Sequence, residues 1–372
     1  MIMWILLMAL LLLGTLGGIY YLATRISRFK IIRQLSHGKK AAGVLIGLGC
    51  MVLITGSIWL AWGYMNAIVC VLHLLVFWLL FDGLFAGIAH LRKCPFSRYY
   101  AGGAAILFTV CYLAAGWYAA FHVWQTPYAI STGKPVGNLR VAVLSDSHVG
   151  TTFHGDGFAA HLHEIQAQEP DLLLIVGDFV DDDTSKADMI ACCQALGNMQ
   201  TTYGVYYVFG NHDKGYYDYR GYTGEDLTRE LEKNGVTVLE DDVALIDDRF
   251  YLIGRADKSE EYAAGRKAME ELTEGLDPSK FSIVLDHQPM DYAAQAAAGV
   301  DLVLSGHTHG GQFIPMTTVS KLFGPIGNDW IYGYTRRENT DFIVTSGISD
   351  WAIKFKTGCW SEYLLIDIQE DA

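Results

Sequence analysis

The sequence predicts an α/β protein in which an N-terminal region of four transmembrane helices precedes a layered α/β domain. Long apolar runs occupy the first third of the 372 residues. From Leu139 onward, short apolar runs rich in β-branched residues alternate with segments of helical composition. That alternation is typical of a layered α/β fold, and the chain is long enough for more than one domain.

The charge of the chain divides at about the same place. Residues 1–124 contain nine Lys and Arg against one acidic residue, Asp82, for a net charge of +8, whereas the remainder contains 18 basic and 39 acidic residues, for −21. The two parts are therefore expected to meet different environments. The acidic part argues against a nucleic-acid partner, because phosphate contacts need clusters of Lys and Arg.

Four apolar runs have the length of roughly 20 residues that a helix needs to cross a bilayer. They predict a membrane region over residues 1–124, with the lipid bilayer as its partner and helices at about 2–22, 41–62, 65–91 and 100–124. No basic residue precedes the first run, so an uncleaved helix is favoured there over a signal peptide.

Two ionisable residues, His73 and Asp82, lie inside the third apolar run. An ionisable side chain within a membrane is a candidate functional site. Asp82 is close in sequence to Arg92 and Lys93, so pairing with them near the interface is expected, and no function is assigned to either residue.

The loops between the runs predict which way the chain crosses the membrane. Residues 25–40 carry six basic side chains and residues 92–98 carry three, whereas residues 63–64 carry none. Basic loops face the cytoplasm, so everything after Trp124 is expected to be extracytoplasmic. Two Pro and two Gly in residues 125–138 are typical of a linker, and residues 139–372 form the predicted second domain.

Polar residues follow five predicted strands of the second domain, at the carboxyl end of each. The unbroken apolar run 172–176 predicts a strand buried on both faces. Open α/β sheets bind ligands at the carboxyl ends of their strands. The five strand ends carry Asp146 and His148; Asp178; Asn211, His212 and Asp213; His287; and His307 and His309. This pattern predicts a metal site assembled from loops.

In this order, the motifs resemble the calcineurin-like metallophosphoesterase superfamily. The matching blocks are Asp146-Ser147-His148, Gly177-Asp178-Phe179-Val180-Asp181, Gly210-Asn211-His212-Asp213, His287 and Gly306-His307-Thr308-His309. The resemblance covers roughly residues 137–368. It implies a β-sandwich with α/β layers that forms a metallophosphoesterase catalytic domain.

The resemblance also implies roles for individual residues. The implied ligands are Asp146, His148 and His309 for one divalent metal ion, Asn211, His287 and His307 for a second, and Asp178 between the two. Ligands without a thiolate suit Mn, Fe, Zn or Mg. By the same resemblance, His212 stabilises the transition state or protonates the leaving oxygen, Asp213 orients its imidazole, and Asp181 supports the ligands.

The implied function is hydrolysis of a phosphate mono- or diester, in the cell envelope or linked to a lipid, by a metal-activated water. Arg336 and Arg337 are candidate substrate-binding residues, because a guanidinium group matches phosphate oxygens. The pattern is similar to bacterial membrane-associated members, including cell-envelope phosphoesterases and UDP-2,3-diacylglucosamine hydrolase-like proteins. Two alternatives remain: a transport or signalling bundle whose metal-binding domain is not catalytic, and a cytoplasm-facing nucleotide-lipid pyrophosphatase.

Overall fold

The computed structural model describes residues 2–262, 265–324 and 327–371, with the side chains of all of them except 2–8, 11, 218, 262 and 321. The chain forms two compact units, Met1–Gly116 with Ala352–Lys354 and Trp117–Trp351 with Phe355–Ala372. The helices are α1 (Ile2–Ile26), α2 (Lys30–Leu35), α3 (Lys40–Trp62), α4 (Tyr64–Leu91), α5 (Tyr100–Phe121), α6 (Gly155–Gln166), α7 (Lys186–Gly197), α8 (Gly224–Lys233), α9 (Met269–Thr273), α10 (Tyr292–Ala297) and α11 (Met316–Phe323). The strands are β1 (Val123–Thr132), β2 (Leu139–Leu144), β3 (Leu172–Val176), β4 (Val205–Val208), β5 (Val236–Val238), β6 (Asp242–Ile246), β7 (Phe250–Gly254), β8 (Phe281–Leu285), β9 (Leu302–Ser305), β10 (Gly333–Arg337), β11 (Thr340–Val344) and β12 (Ser361–Glu370).

Three helices, α3, α4 and α5, are long and apolar enough to cross a membrane, judged over the described residues. The predicted count of four is therefore too high for that part of the chain. The predicted first span, 2–22, lies within the helix α1, but residues 2–8 and 11 of it fall outside the described side chains. The last predicted span, 100–124, ends early at Phe121, because strand β1 begins at Val123.

The segment 125–138, predicted as a linker, is a strand for about half of its length. Strand β1 runs parallel to β12, from Val123 opposite Ser361 to Thr132 opposite Glu370. It contains Pro127, which cannot donate a hydrogen bond to a neighbouring strand. Since β1 lies at the edge of its sheet, the missing donor is tolerated, and the proline does not end the strand.

The second unit contains two six-stranded sheets. Their strand orders are β1-β12-β2-β3-β4-β5 and β10-β11-β9-β8-β7-β6. Strands β2, β3 and β4 are mutually parallel, and so are β7, β8 and β9. The carboxyl ends of each parallel set therefore lie along one edge of its sheet.

Alternating side chains of the central strands pack on opposite faces of each sheet. Val141 and Val143 of β2 belong to an apolar cluster shared with Ile283 of β8 and Leu304 of β9, so this cluster fills the space between the sheets. The outer face of the first sheet is covered by α6, α7 and α8, and that of the second by α9 and α10. The predicted β-sandwich with outer helical layers is confirmed.

Candidate metal centre

The loops after five strands bring the predicted ligands together. The first sheet supplies the residues that follow β2, β3 and β4, and the second sheet supplies those that follow β8 and β9. The buried apolar strands are held by packing on both faces, so the short polar segments after them start from fixed positions. Two groups of side chains result, each with potential ligand atoms that lie within 4.8 Å of one another.

The first group contains Asp146, His148 and His309. Nε2 of His309 is 3.6 Å from Oδ1 of Asp146, and the rings of His148 and His309 are stacked with centroids 5.2 Å apart. Nδ1 of His148 lies 3.2 Å from Oδ2 of the buried Asp181. This contact turns the opposite nitrogen, Nε2, toward the interior of the group.

The second group contains Asp178, His287 and His307. Nδ1 of His287 lies 2.8 Å from the carbonyl oxygen of Val176, so the ring donates its proton there and presents Nε2 to the group. Nδ1 of His307 lies 2.8 Å from Oδ1 of Asn211. The amide nitrogen of Asn211 donates to the hydroxyl of Tyr216 at 2.9 Å, which fixes the amide oxygen toward His307.

Asp178 joins the two groups through a single oxygen atom. Its Oδ2 lies 3.6 Å from Nε2 of His148 in the first group and 3.0 Å from Nε2 of His287 in the second. Its other oxygen, Oδ1, accepts a hydrogen bond of 2.9 Å from the backbone N–H of His212. The carboxylate therefore lies where the resemblance implied a bridging ligand.

Backbone conformation at the centre is unusual for side chains other than glycine. Five of the seven candidate ligands have φ between 35° and 68°, in the left-handed region: Asp146, His148, Asp178, His307 and His309. Such residues carry a strain on the order of 1–3 kcal/mol each and are concentrated at functional sites. Gly177, at φ 73°, precedes Asp178, and a Cβ there would lie 2.6 Å from Nδ1 of His287.

The electrostatics of the centre suit cations. Burial alone would lower the pKa of His148, but Asp181 and Asp178 raise it to about 9. Burial likewise opposes a charge on His287, yet Asp178 raises its pKa well above the ordinary value. Only the neutral ring binds a metal, so metal binding at these two imidazoles would compete with their protonation.

The buried histidine nitrogens also indicate that the centre can bind divalent metal ions. Nε2 of His148 and Nε2 of His287 are buried and make no well-aligned hydrogen bond among the described residues, although Oδ2 of Asp178 lies 3.6 and 3.0 Å from them. Buried polar atoms are nearly always paired in proteins. Imidazole nitrogens that converge on buried carboxylates form a set of nitrogen and oxygen donors for metals such as Mn, Fe, Zn or Mg.

His212 lies beside both groups. Its ring centroid is 5.1 Å from that of His148, 5.1 Å from that of Tyr216 and 5.4 Å from that of Trp351. Burial lowers its pKa, and the nearby charge of Asp178 opposes the change. A neutral imidazole at this position keeps one N–H that can donate to an oxygen bound in the centre.

Asp213 does not orient the imidazole of His212, contrary to the prediction. Its carboxylate is buried and accepts hydrogen bonds from the backbone N–H groups of Asp178 at 2.9 Å, Val180 at 3.0 Å and Gly210 at 2.7 Å. Adjacent residues in a turn point their side chains in different directions. The carboxylate of Asp213 therefore points toward these backbone N–H groups. Its contacts hold the loops after β3 and β4 together.

The structure pairs the two candidate substrate-binding residues, Arg336 and Arg337, with carboxylates of the protein. Nη1 of Arg336 lies 3.2 Å from Oδ1 of Asp341. Nη1 of Arg337 lies 3.4 Å from Oδ1 of Asp329, and its guanidinium group covers the ring of Tyr292. Both residues belong to β10 and are partly exposed, and their role in substrate binding stays a prediction.

Two buried charged residues were missed by the sequence analysis. Oδ1 of Asp350 lies 3.6 Å from Nδ1 of His309 and 3.5 Å from Nζ of Lys356. Burial raises the pKa of Asp350 to about 7, although Lys356 counteracts this. Lys356 donates to the carbonyl oxygens of Ser346 and Ser349. No motif marks this pair, because only the fold brings it behind His309.

Several proteins with sequences similar to this chain are named as metallophosphoesterases. Residues 139–311 match a family model described as Calcineurin-like phosphoesterase. An uncharacterized metallophosphoesterase of Aquifex aeolicus is 31% identical over 204 residues, which are 53% of this chain and 74% of the relative. An uncharacterized metallophosphoesterase of Campylobacter jejuni is 29% identical over 253 residues, 66% of this chain and 64% of the relative.

One mammalian relative is named as a transmembrane protein. The Bos taurus transmembrane protein with metallophosphoesterase domain is 28% identical over 244 residues, which are 63% of this chain and 54% of the relative. The chain therefore spans less than two thirds of the length of the Campylobacter and Bos relatives.

Proposed function

Because the chain belongs to the calcineurin-like phosphoesterase family, as its motifs predicted, we propose that it is a membrane-anchored phosphoesterase that hydrolyses phosphate mono- or diesters with two divalent metal ions. The observation that carries the proposal is the position of Oδ2 of Asp178 between Nε2 of His148 and Nε2 of His287, at 3.6 and 3.0 Å. A carboxylate that contacts both groups of candidate ligands would be able to hold both ions of a two-metal hydrolytic site.

The proposed ligands divide into two sets that share one residue. They are Asp146, His148 and His309 for the first ion, Asn211, His287 and His307 for the second, and Asp178 for both. When bound, two such ions neutralise phosphoryl oxygens and lower the pKa of water so that it can attack the phosphorus. The acidic composition of this part of the chain is compatible with an anionic substrate, because the ions are the largest local charges.

One side chain, His212, acts directly on the substrate in this proposal. His212, half-buried beside His148, donates its N–H to a phosphoryl oxygen or to the leaving oxygen, where positioned acid–base groups contribute about 10²–10⁴-fold in rate. The backbone N–H of His212 already donates to Oδ1 of Asp178. Asp178 therefore ties the position of the imidazole to the position of the ligands.

The proposed substrate is a phosphoester of the cell envelope or of a lipid, reached on the extracytoplasmic side. The basic segments 25–40 and 92–98 support that orientation, and it does not depend on whether α1 spans the membrane. An anchored enzyme meets membrane-borne substrates at a raised effective concentration, which gives the helical region a physical purpose.

Hydrolysis of bis(p-nitrophenyl) phosphate and p-nitrophenyl phosphate by the full-length protein in detergent tests the proposal. We expect Mn²⁺-dependent turnover that is abolished by chelation and by Asp178→Asn. The matched control is His163→Gln, which removes an exposed imidazole from α6 and should leave turnover unchanged. Metal binding without turnover of either ester would instead favour a non-catalytic metal-binding domain.

A further inference from the structure

A cavity of about 360 Å³ opens in the N-terminal unit beside the ends of α1 and α4. Arg25, Arg28 and Arg98 line it together with Asp82. Its volume falls within the range of about 300–1,000 Å³ that is typical of sites for small ligands. Phe85 of α4 and Phe96 of the following loop form part of its apolar wall.

The carboxylate of Asp82 is already neutralised within this wall. Its Oδ2 lies 3.0 Å from Nε of Arg25 and accepts a hydrogen bond of 3.0 Å from the hydroxyl of Tyr21. Its Oδ1 accepts a hydrogen bond of 2.7 Å from the hydroxyl of Tyr99. Asp82 therefore pairs with the residue at the end of α1, and the expected pairing with Arg92 or Lys93 does not occur.

The network that holds Asp82 is anchored in the packed interior of the helices. Tyr99 accepts a hydrogen bond of 2.7 Å from Nε1 of Trp78, and Trp78 is completely buried. A Cβ at Gly102 would lie 2.8 Å from both Phe29 and Tyr99. The wall of the cavity is therefore closely packed, and the Arg25–Asp82 pair is held in position before any ligand arrives.

Arg28 and Arg98 are the cations of the cavity that have no acidic partner. Within the described residues, neither guanidinium group lies within 4.0 Å of a carboxylate. The guanidinium carbon of Arg28 is 5.6 Å from the ring centroid of Tyr99, and Arg98 is exposed. With Arg25 matched to Asp82, the cavity keeps an excess of two positive charges.

We propose that this cavity binds the phosphate group of an anionic ligand, with Arg28 and Arg98 contacting the phosphate oxygens and the Arg25–Asp82 pair fixing the wall. A planar guanidinium group matches phosphate geometry, and basic pockets between membrane helices are suited to anionic head groups. The aromatic wall can pack against an attached chain. The phosphate could belong to a lipid head group or to a soluble ion, and the two sources are separated by experiment.

The test measures binding to the full-length protein in detergent after chelation, so that the metal centre does not contribute. Native mass spectrometry follows added phosphatidylglycerol against phosphatidylcholine, and calorimetry follows inorganic phosphate. Arg28→Gln with Arg98→Gln removes the proposed contacts. The control, Lys30→Gln with Arg33→Gln, removes the same charge from exposed positions of α2 that do not line the cavity.

We expect phosphatidylglycerol to bind at least tenfold more tightly than phosphatidylcholine, and the Arg28/Arg98 variant to lose at least tenfold in that affinity while the control stays within threefold. Arg98→Gln alone should give an intermediate loss, and unchanged melting temperatures show that each variant is folded. Phosphate binding that depends on the same arginines, without lipid preference, supports the site and identifies a soluble ligand. Equal losses in both double variants, or no preference for any anionic probe, would overturn the proposal.

Discussion

At the scale of single residues, the centre depends on which nitrogen of each histidine is left free. His148 uses Nδ1 toward Asp181, and His287 uses Nδ1 toward the carbonyl oxygen of Val176. The remaining Nε2 atoms converge near Asp178. The partners of the Nδ1 atoms thus decide the tautomer and the orientation of the ring, as is usual for histidines that bind metals.

Asp181→Asn should weaken metal binding without abolishing it. The carboxylate orients His148 at 3.2 Å, and loss of such a partner typically costs 10–100-fold in metal affinity or activity. Titration of the chelated protein with Mn²⁺ measures the change. Asp183→Asn, at an exposed position two residues away, is the control. Equal affinities of the Asp181 variant and the wild-type protein would show that Asp181 does not orient the ring.

His212→Gln should reduce kcat by about 10²–10⁴-fold and leave the metal content unchanged. The imidazole lies beside the candidate ligands but belongs to neither group, so its loss removes a proton donor and no ligand. Steady-state rates with the diester, together with elemental analysis of the same preparation, separate the two effects. A variant that loses its metals along with its activity would make His212 a structural residue.

The predicted ligands that the structure brings together are those that follow buried strands directly. Asp178 comes two residues after the last residue of β3, and an unbroken apolar strand fixes its position. The role of Asp213 was wrong because sequence gives the order of residues in a turn but not the direction of each side chain. Asp350 and Lys356 could not be found, since neither follows a strand with a recognisable pattern.

At the scale of elements, the helix α8 shows how local chemistry fixes a boundary. The hydroxyl of Thr223 accepts from the backbone N–H of Asp226, and the carboxylate of Asp226 accepts from that of Thr223, which forms a capping box. Leu227 and Leu231 are buried and pack the helix onto the outer face of the first sheet. The helix therefore supports the sheet from the side away from the other sheet.

Thr223→Ala should lower the free energy of unfolding by about 1 kcal/mol and leave the hydrolytic rate unchanged. The substitution leaves the N–H of Asp226 without its acceptor at the start of α8. Urea unfolding of the full-length protein in detergent measures the loss, and Thr223→Ser should restore most of it. An unchanged midpoint in Thr223→Ala would mean that the cap contributes nothing.

Element boundaries were predicted well where hydrophobic periodicity is uninterrupted and poorly where one residue breaks it. In residues 258–273 the structure has a short 3₁₀ turn, Lys258–Tyr262, and the helix α9 instead of one continuous helix. Gly265, at φ 85°, lies between them, and glycine readily adopts this conformation. Strand β1 was missed because its proline indicated a linker. A proline is tolerated in a strand at the edge of a sheet.

At the scale of the whole molecule, the orientation of the chain can be tested with one native cysteine and one introduced cysteine. Cys94 is exposed and lies in the basic segment 92–98, which is predicted to face the cytoplasm. Asn138 is exposed and precedes β2. In intact cells, a membrane-impermeant maleimide should label Asn138→Cys and leave Cys94 unlabelled until the cells are permeabilised. The reverse pattern would support a cytoplasm-facing enzyme.

The candidate ligands come from both sheets and meet where the two sheets adjoin. Asp146 and Asp178 come from the first sheet, and His287, His307 and His309 come from the second, so bound ions would connect both halves of the sandwich. A ligand set drawn from two sheets is complete only when the whole domain is folded. Metal occupancy of the intact chain is therefore the most direct measure of the proposed centre.

Elemental analysis of the purified full-length protein, dialysed against metal-free buffer, provides that measurement. We expect two equivalents of divalent metal per chain, in keeping with a two-metal site. Asp178→Asn should retain fewer, because Asp178 contacts both groups. Wild-type protein that is folded and hydrolyses the diester but contains no bound metal, before or after incubation with Mn²⁺, would contradict the account.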